Sequence, residues 1–306
     1  MIVTVTLNPA LQVDYEAEKV EAGAFNPVGR VRHAAAGGGL TVARLLTQFG
    51  HEVVAAGLAG GSTGELIRNE LAQAGVATQF TRTGAESRRV VRIADGSSSE
   101  VTAFAEPAPY ITTEELGRLA ADYRNLLDGA DAVVLCGSLP AGLPDDIYGS
   151  LTSYATGAGV PVVLSGRGRV LGFGAARGPA LVIPEVLPEP RDQAAGEQAA
   201  TAPDQTAAEL RTAGAQAVAV AAPDGVQVVS AAGRWRAALR PKLPARQALA
   251  HDGLVTGFVP GIALGWSWPD MLRNAVALAA SVAADGEADL AVYEKLLPGV
   301  SVSSRA

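Results

Sequence analysis

The sequence is short of cysteine and histidine, and these shortages exclude two kinds of site. Cys136 is the only cysteine among 306 residues, so no intrachain disulfide and no cysteine-based metal centre can form. The three histidines lack the spacing of metal ligands. We therefore expect neither a disulfide scaffold nor a zinc-type centre.

Clusters of basic residues and long apolar runs are also missing. Lys and Arg total 24 against 31 Asp and Glu, the net charge is -7, and no basic stripe forms. This distribution argues against binding to nucleic acid or to an anionic membrane. No apolar run reaches membrane-spanning length, and residues 1–9 lack the basic region of a signal peptide. We therefore expect a soluble cytoplasmic protein.

What remains is an alternation of apolar strands and amphipathic helices. Strands that are apolar throughout are typical of a parallel sheet with helices on both faces. The predicted strands are 2–7, 52–58, 132–136, 160–164, 180–183 and 217–221, and the predicted helices are 40–49, 65–74, 145–156 and 206–213. The length fits one large α/β domain or two modest ones. We predict a single domain over 1–306.

Two segments break this alternation and predict a small β lid. Residues 28–33 and 88–104 alternate polar and apolar side chains, with a turn at Asp95-Gly96-Ser97. Hairpins of this kind would cover one edge of an α/β core. We assign the lid to parts of 11–36 and 84–108.

One carboxylate at the start of an apolar helix is the strongest catalytic candidate. Asp252 lies just ahead of an apolar run, 254–264. A helix start offers unpaired N–H groups and the positive end of the helix dipole. An anion can rest there while the Asp takes up a proton. An ordinary N-cap Asp would occupy the same position without any chemistry.

Three stretches together resemble the PfkB branch of the ribokinase-like carbohydrate kinases, and within it the 1-phosphofructokinase and tagatose-6-phosphate kinase group. They are residues 3–11, 137–144 and 255–258. The resemblance is collinear over nearly the whole chain. It implies a ribokinase-like core with a β lid and a magnesium-dependent transfer of the γ-phosphoryl group of ATP to a hydroxyl of a phosphorylated sugar. Lids in this family often pair between subunits, which implies a homodimer.

The resemblance places a substrate cradle ahead of the first long helix. The family signature Gly-Gly-Lys-Gly-x-Asn corresponds to residues 36–41, with Gly38 at the lysine position and Thr41 at the asparagine position. Gly37, Gly38 and Gly39 would bring backbone N–H groups close to a sugar or phosphate. The same glycines could also serve only as a flexible helix entry.

The resemblance assigns further substrate contacts to the lid and to one loop. The family's sugar-binding Asp corresponds to Gln12, and we expect the nearby Asp14 to face the opposite side of its strand. Arg88 and Arg92 match the lid signature Thr-Arg-x-Asn-x-Lys and share one face of a strand. They would clamp a phosphate, or would form an ordinary solvated face. Ser138 would contact the substrate phosphate from its turn.

On the nucleotide side the family motifs are altered. The metal-associated Glu corresponds to Pro188, which leaves Glu185 as our candidate magnesium ligand. Asp224 and Gly225 fall where the family's loop meets the nucleotide, and only the glycine matches.

The family's Gly-Ala-Gly-Asp anion hole also differs here. It has become Leu249, Ala250, His251 and Asp252. The backbone N–H groups of this stretch could still hold an anion. His251 is either a new base or ligand, or a side chain that fills the space of the lost glycine.

These residues support two kinds of function. The first is a sugar-phosphate kinase with Asp252 as its base, of the types named above or with a different acceptor. The second is a pseudokinase that binds a sugar phosphate, another metabolite or a protein partner without phosphoryl transfer. The altered motifs motivate the second hypothesis, since phosphoryl transfer depends on positioning and on charge stabilisation.

Overall fold

The computed structural model describes residues 1–98, 100–185, 203–222, 225–239, 250–282 and 287–305. Within these residues the strands are β1 Ile2–Thr6, β2 Ala10–Ala17, β3 Arg30–Ala36, β4 Val53–Gly60, β5 Ala77–Thr83, β6 Arg88–Asp95, β7 Glu100–Ala105, β8 Ala132–Cys136, β9 Val162–Gly166, β10 Leu181–Pro184, β11 Ala217–Ala222, β12 Gly225–Ser230, β13 Gly233–Leu239 and β14 Val300–Arg305. The helices are α1 Gly38–Gln48, α2 Gly61–Gln73, α3 Thr113–Leu127, α4 Ile147–Gly157, α5 Arg169–Ala175, α6 Pro203–Ala213, α7 His251–Leu264, α8 Trp268–Ser281 and α9 Leu290–Leu296. A short 3-10 helix, Leu297–Gly299, links α9 to β14.

The large sheet confirms the predicted α/β fold. Its described strands run in the order β14-β13-β12-β11-β10-β9-β8-β1-β4-β5. The seven strands from β11 to β5 pair in parallel, whereas β12, β13 and β14 add an antiparallel end. No helix within the described ranges is long and apolar enough to cross a membrane.

Helices cover both faces of the large sheet, as the apolar strands predict. Neighbouring residues of β1 show the two layers: Ile2 packs into the cluster beneath α1, α7 and α8, and Val3 into the cluster beneath α3, α4 and α6. α7 is apolar around most of its surface because it lies between the sheet and α8. Gly257 makes this close packing feasible, since a Cβ there would collide with the backbone of Ala275 in α8.

The strand order reverses direction at the boundary between β1 and β8. From β1 the chain continues outward through β4 and β5 on one side, and from β8 through β9, β10 and β11 on the other. In open parallel sheets such a reversal leaves a crevice at the carboxyl ends of the strands, where ligands usually bind. α1 begins at this end of the sheet after Gly37, and α7 approaches it from the same face.

The separate small sheet has the order β3-β2-β6-β7, and its strands lie almost wholly within the two segments predicted for the lid. β2 and β6 pair in parallel, which a set of hairpins does not predict. Leu11, Val13 and Ala35 of this sheet are buried in the core cluster that includes α2. The opposite face carries Gln12 and Asp14.

Glu86 closes the N-terminus of α2 with its carboxylate. That group accepts hydrogen bonds from the backbone N–H of Thr63 (2.5 Å) and from the backbone N–H and hydroxyl of Ser62 (3.2 and 3.0 Å). These bonds, those from Thr63 first, lower the pKa of Glu86 to about 2. The helix therefore carries its own anion at a terminus that favours one.

Replacing Glu86 by Gln is expected to destabilise the protein at neutral pH. Because the folded pKa lies below that of an unfolded Glu, the stabilisation is complete above about pH 4.5 and is lost as the pH falls toward 2. The loss at pH 7 should be about 0.5–1 kcal/mol, as for other helix caps. Urea unfolding at pH 7 and pH 3 measures it, with exposed Glu100→Gln as the control. An equal deficit at both pH values would contradict this assignment.

Candidate active site

The starts of α1 and α7 meet around the carboxylate of Asp252. Asp252 lies in the first turn of α7, and the Thr41 side chain in α1 approaches it closely enough for hydrogen bonding to lower the pKa of its carboxyl. A Cβ on Gly38 would lie 3.2 Å from Asp252 Oδ1, so the first turn of α1 directly borders the carboxylate. Both helix starts present backbone N–H groups at this point. The site therefore combines a carboxylate with two groups of anion-binding donors.

The surroundings of Asp252 raise the pKa of its carboxyl into a range that suits proton transfer near neutral pH. Burial raises its pKa to about 6, and the negative charge of Glu185 acts in the same direction. The hydrogen bond from Thr41 and the charge of Arg44 oppose this rise. A carboxylate with this pKa is ionised at pH 7 and is still basic enough to accept a proton during a reaction.

Cys136 explains why residue 38 is glycine here. A Cβ on Gly38 would come within 2.5 Å of Cys136 Sγ, closer than real side chains approach. Burial raises the pKa of the Cys136 thiol far above its usual range, so the sulfur remains protonated and acts as a packing atom. The lysine of the family signature cannot be accommodated at residue 38 without a shift of this sulfur.

Replacing Gly38 by Ala is expected to cost about 1–3 kcal/mol of unfolding free energy, the usual range for overpacking. In the Cys136→Ala background the cost should fall by at least half, because the remaining Cβ of residue 136 lies 3.8 Å from the added methyl. A double-mutant cycle from urea unfolding gives the coupling energy. Additive effects of the two substitutions would refute the proposed contact.

His251 is anchored to the sheet by Ser165. Ser165 Oγ and His251 Nε2 are 2.7 Å apart, and the serine is buried at the carboxyl end of β9. Ser165 also lies opposite Cys136 in the β8–β9 register, where its side chain acts to lower the pKa of the Cys136 thiol, against the larger effect of burial. Burial lowers the pKa of His251, which favours the neutral imidazole. His251 thus fills the space in front of α7 and fixes the helix start to the sheet.

Glu185 faces the same site, held by an arginine that the sequence did not single out. Arg167 Nε and Nη2 donate to the two Glu185 carboxylate oxygens, both at 2.9 Å. The Glu185 N–H donates to the Gly166 carbonyl (2.8 Å), which ties the ends of β9 and β10 together. Its charge raises the pKa of both Asp252 and His251, so its carboxylate lies within their electrostatic range.

Glu185 fits one part of a magnesium site. Its carboxylate is a hard oxygen donor at the carboxyl edge of the sheet, and Mg²⁺ commonly binds one or two carboxylates together with phosphate oxygens. The described residues contain no group of three or more His, Cys, Asp and Glu that could hold a metal by themselves. Any magnesium bound through Glu185 would need ligands from a phosphate substrate.

Gln12, Asp14 and Arg92 come together on one face of the small sheet. Gln12 Nε2 donates to Asp14 Oδ1 and Oδ2 (3.1 and 2.9 Å), and Arg92 Nε lies 3.6 Å from Asp14 Oδ1. The expectation that Asp14 faces away from Gln12 was wrong, because residues two apart on a strand share a face. Arg32 also approaches Asp14, at 3.6 Å. Asp14 therefore organises this face.

Arg88 stands apart from the Asp14 group, at the beginning of β6. Its Nε is buried and has no hydrogen-bond partner in the described part of the chain, and burial lowers its pKa. An arginine in this state is suited to receive an anionic group, because its donor is already partly desolvated.

Ser138 lies with Asn8 at the crevice between β1 and β8. Asn8 Nδ2 donates to Ser138 Oγ at 3.1 Å. Asn8 Oδ1 and Thr6 Oγ1 are buried and have no hydrogen-bond partner among the residues described here. These polar atoms line the predicted crevice, beside Gly37 and Gly39 at the entrance to α1.

The remaining predicted residues are placed less directly. The N–H of Ala250 donates to the Ala279 carbonyl at 3.0 Å, which leaves the first turn of α7, from His251 onward, as the source of donors. Gly225 starts β12 with φ 149°, and a Cβ there would collide with the Ala237 carbonyl. That collision is a packing reason for glycine at this position. Leu249 and Asp224 lie outside the described residues.

Three residues of this site were missed as functional candidates: Cys136, Ser165 and Arg167. A signal for them does exist in the sequence. The first two lie at the carboxyl ends of β8 and β9, and Arg167 follows β9 directly. Since parallel strands end at the same edge, residues at these ends are expected to line a common crevice.

Comparisons with known proteins agree with this fold. A family profile described as pfkB family carbohydrate kinase matches residues 8–294. The chain is similar in structure to a Thermotoga maritima protein described as a possible 1-phosphofructokinase (TM-score 0.85, 24% identity, 100% of this chain and 99% of that one covered). It is also similar to Escherichia coli phosphofructokinase-2, both in a tetrameric inhibited form (0.82, 24%, 97% and 98%) and in complex with fructose-6-phosphate (0.81, 23%, 97% and 98%).

Proposed function

Because the chain belongs to the pfkB family of carbohydrate kinases, we propose that it transfers the γ-phosphoryl group of ATP to a hydroxyl of a phosphorylated sugar. The acceptor would be of the 1-phosphofructokinase or tagatose-6-phosphate kinase type. One observation carries this proposal: the buried carboxylate of Asp252, with its pKa raised to about 6, lies between two helix starts that offer N–H donors.

Each part of this site has a distinct task in the proposed reaction. Asp252 takes the proton of the sugar hydroxyl as that oxygen attacks phosphorus, and the Thr41 hydroxyl holds the carboxylate in place. The N–H groups in the first turns of α1 and α7 bind the charge that develops on the transferred group. Magnesium, held through Glu185 and phosphate oxygens, would neutralise charge on the nucleotide.

The phosphate already on the sugar would bind between the small sheet and the crevice. Arg88 offers a buried donor without a partner among the described residues, and Arg92 offers a second guanidinium on the same face. Ser138 and Asn8 supply uncharged donors from the opposite side. Gln12 and Asp14 would contact sugar hydroxyls from the small sheet.

Turnover with a panel of phosphorylated sugars tests this function. Purified protein is incubated with Mg-ATP and fructose 1-phosphate, tagatose 6-phosphate or fructose 6-phosphate, and ADP release is measured by a coupled assay. We expect one acceptor to give sugar-dependent ADP release. ADP release that is the same with and without every phosphorylated sugar would contradict the proposal.

A second candidate, ligand binding without phosphoryl transfer, is favoured by Gly38. No charge stands at the family's lysine position, and His251 replaces a glycine beside the base. Thermal shifts separate the two functions. Stabilisation by both Mg-ATP and a phosphorylated sugar supports a kinase, whereas stabilisation by the sugar alone supports a sensor. Stabilisation by neither supports a scaffold for a protein partner.

We further propose that the chain forms a homodimer through the small sheet. Val31 of β3 and Val101 and Phe104 of β7 are each at least half exposed on the two outer strands of this sheet, and exposed apolar side chains can mark a contact with another chain. Light scattering coupled to size exclusion should give twice the mass of 31.1 kDa. Phe104→Glu should shift the protein to the monomer, and an unchanged mass would count against this interface.

A further inference from the structure

The proposed site collects negative charge, and the residue at the family's lysine position, Gly38, brings no cation to it. Asp252 and Glu185 both face it, and a nucleotide triphosphate would add more negative charge. Gly38 occupies the lysine position, and the sulfur of Cys136 fills the space that a side chain there would need. Phosphoryl transfer depends on positive charge around the transferred group. A cation must therefore come from another position.

Among the described residues, two arginines act on the charges of this site, and they differ in their freedom to move. Arg44 influences Asp252, but its side chain is only 12% exposed, and it donates to the Ala35 carbonyl. Arg167 influences His251, and its side chain is 52% exposed. Of the two, Arg167 can turn toward an incoming ligand without breaking the packing around it.

The backbone brings Arg167 to the start of α7. Ser165, two residues earlier, bonds His251, and His251 is the neighbour of Asp252 in the chain. Gly168 follows with φ 59° and is exposed, so the loop can adjust around the arginine. The guanidinium thus projects from the carboxyl edge of β9 on the side where α7 begins.

The present partner of Arg167 shows how it would bind a phosphoryl group. Its guanidinium fork donates two parallel hydrogen bonds of 2.9 Å to the Glu185 carboxylate. Phosphate oxygens match this fork in the same bidentate manner. Glu185, released from Arg167, would then be free to bind magnesium. The arginine would pair with phosphate oxygens and the carboxylate with the metal ion, so neither charge would be left without an opposite charge.

We propose that Arg167 is a further catalytic residue, which exchanges Glu185 for oxygens of the transferred phosphoryl group. This role rests on the proposed kinase function. The bond from the γ-phosphorus to the oxygen bridging to the β-phosphorus breaks, and the sugar oxygen bonds the phosphorus. The hydroxyl proton goes to Asp252, and ADP leaves. Arg167 takes no part in the proton transfer, and its positive charge stabilises the negative charge on the transferred oxygens.

Replacement of Arg167 by Gln, with Arg169→Gln as matched control, tests this role. Arg169 is exposed two residues further on, beside the ring of Phe173, and its loss removes the same charge. We expect kcat of Arg167→Gln to fall about 100- to 1000-fold. The KM for the sugar should change far less, and Arg169→Gln should stay within about twofold of the wild type.

Two further measurements distinguish contact with phosphate from a structural role. Added guanidinium should restore at least part of kcat to Arg167→Ala and none to Arg169→Ala. Calorimetric titration of Mg-ATP into Asp252→Asn, with and without Arg167→Gln, measures nucleotide binding in the absence of turnover, and the double variant should bind more weakly. A kcat for Arg167→Gln within about threefold of an active wild type would overturn the role of Arg167 alone. If the wild-type protein shows no turnover with any phosphorylated sugar, the kinase proposal is overturned as well. This result is obtained from the wild type alone, so it is distinguishable from a failure of the Arg167 proposal.

Discussion

Replacing Asp252 by Asn should reduce phosphoryl transfer by about 1000-fold or more and, at the same time, should make the protein more stable. The loss of activity follows from removing the group that takes the hydroxyl proton, whose contribution is typically about 100- to 10,000-fold. Asn keeps the shape of the side chain and can still accept the hydrogen bond from Thr41. The site should therefore remain folded while its chemistry stops.

The gain in stability follows from the raised pKa. Because the pKa of about 6 in the folded protein exceeds the ordinary value of 3.8, folding favours the protonated carboxyl. The ionised carboxylate costs stability at pH 8, on the order of 1–3 kcal/mol. Below about pH 4 the cost disappears. Urea unfolding should show the Asp252→Asn variant to be more stable than the wild type at pH 8 and equally stable at pH 4.

The matched control for this substitution is Asp289→Asn. Asp289 is an N-cap whose carboxylate accepts from the N–H of Val292, so it represents an Asp at a helix start that performs no chemistry. Asn caps helices equally well, and both activity and stability should stay close to the wild type. If the activity of Asp252→Asn were within tenfold of the wild type, Asp252 would be, like Asp289, an Asp at a helix start without a role in the chemistry. The wild-type kcat should also decline below about pH 6, as the carboxyl is protonated.

Replacing Gly57 by Ala should produce the largest loss of stability, on the order of 3 kcal/mol or more, or prevent folding. Gly57 lies in β4 opposite Thr6 of β1, with φ 134°, a conformation that L side chains rarely adopt. An added Cβ would collide with the Thr6 carbonyl oxygen, and neither backbone can move without opening the pairing of the central strands. The strain of the dihedral and the collision act together.

Gly117→Ala provides the control for the Gly57 substitution. Gly117 lies within α3, and a Cβ there meets no atom within 4 Å. Ala at this exposed position within the helix should stabilise the protein by about 0.5–1 kcal/mol. Urea unfolding or soluble yield compares the two variants. If Gly57→Ala were as stable as the wild type, the expected collision between the added Cβ and the Thr6 carbonyl oxygen would be disproved.

The elements that the sequence predicted well are those whose signals are local. β8 was predicted over 132–136 and is observed over the same residues, because a short apolar run between polar ends leaves little choice. α3 was missed although Thr112 and Glu115 form a capping box, whose two reciprocal bonds are present. That signal was available in the sequence. The edge strand β5, with its mixed exposure, offered no comparable pattern.

The same difference between local and long-range signals applies to the residues of the site. Asp252 and Thr41 were predicted as site residues from their place in motifs, and the structure brings the two side chains together. The collision between a residue-38 side chain and Cys136, and the pairing of Arg167 with Glu185, join segments that are distant in the chain. No local pattern encodes such contacts, because they arise only when parallel strands end at one edge.

Two very short connections join the small sheet to elements that border the crevice. β1 leads into β2 through residues 7–9, and β3 leads into α1 through Gly37 alone. Rocking of the small sheet would be taken up partly at these joints, which border the crevice that holds Asp252, and partly at residues 84–87 between β5 and β6 and 106–112 between β7 and α3. A movement of the small sheet is therefore coupled to a movement of the start of α1. A sugar that moves the small sheet toward the crevice on binding would also change the orientation of the N–H groups at the start of α1, which bind the phosphoryl group in the proposed reaction.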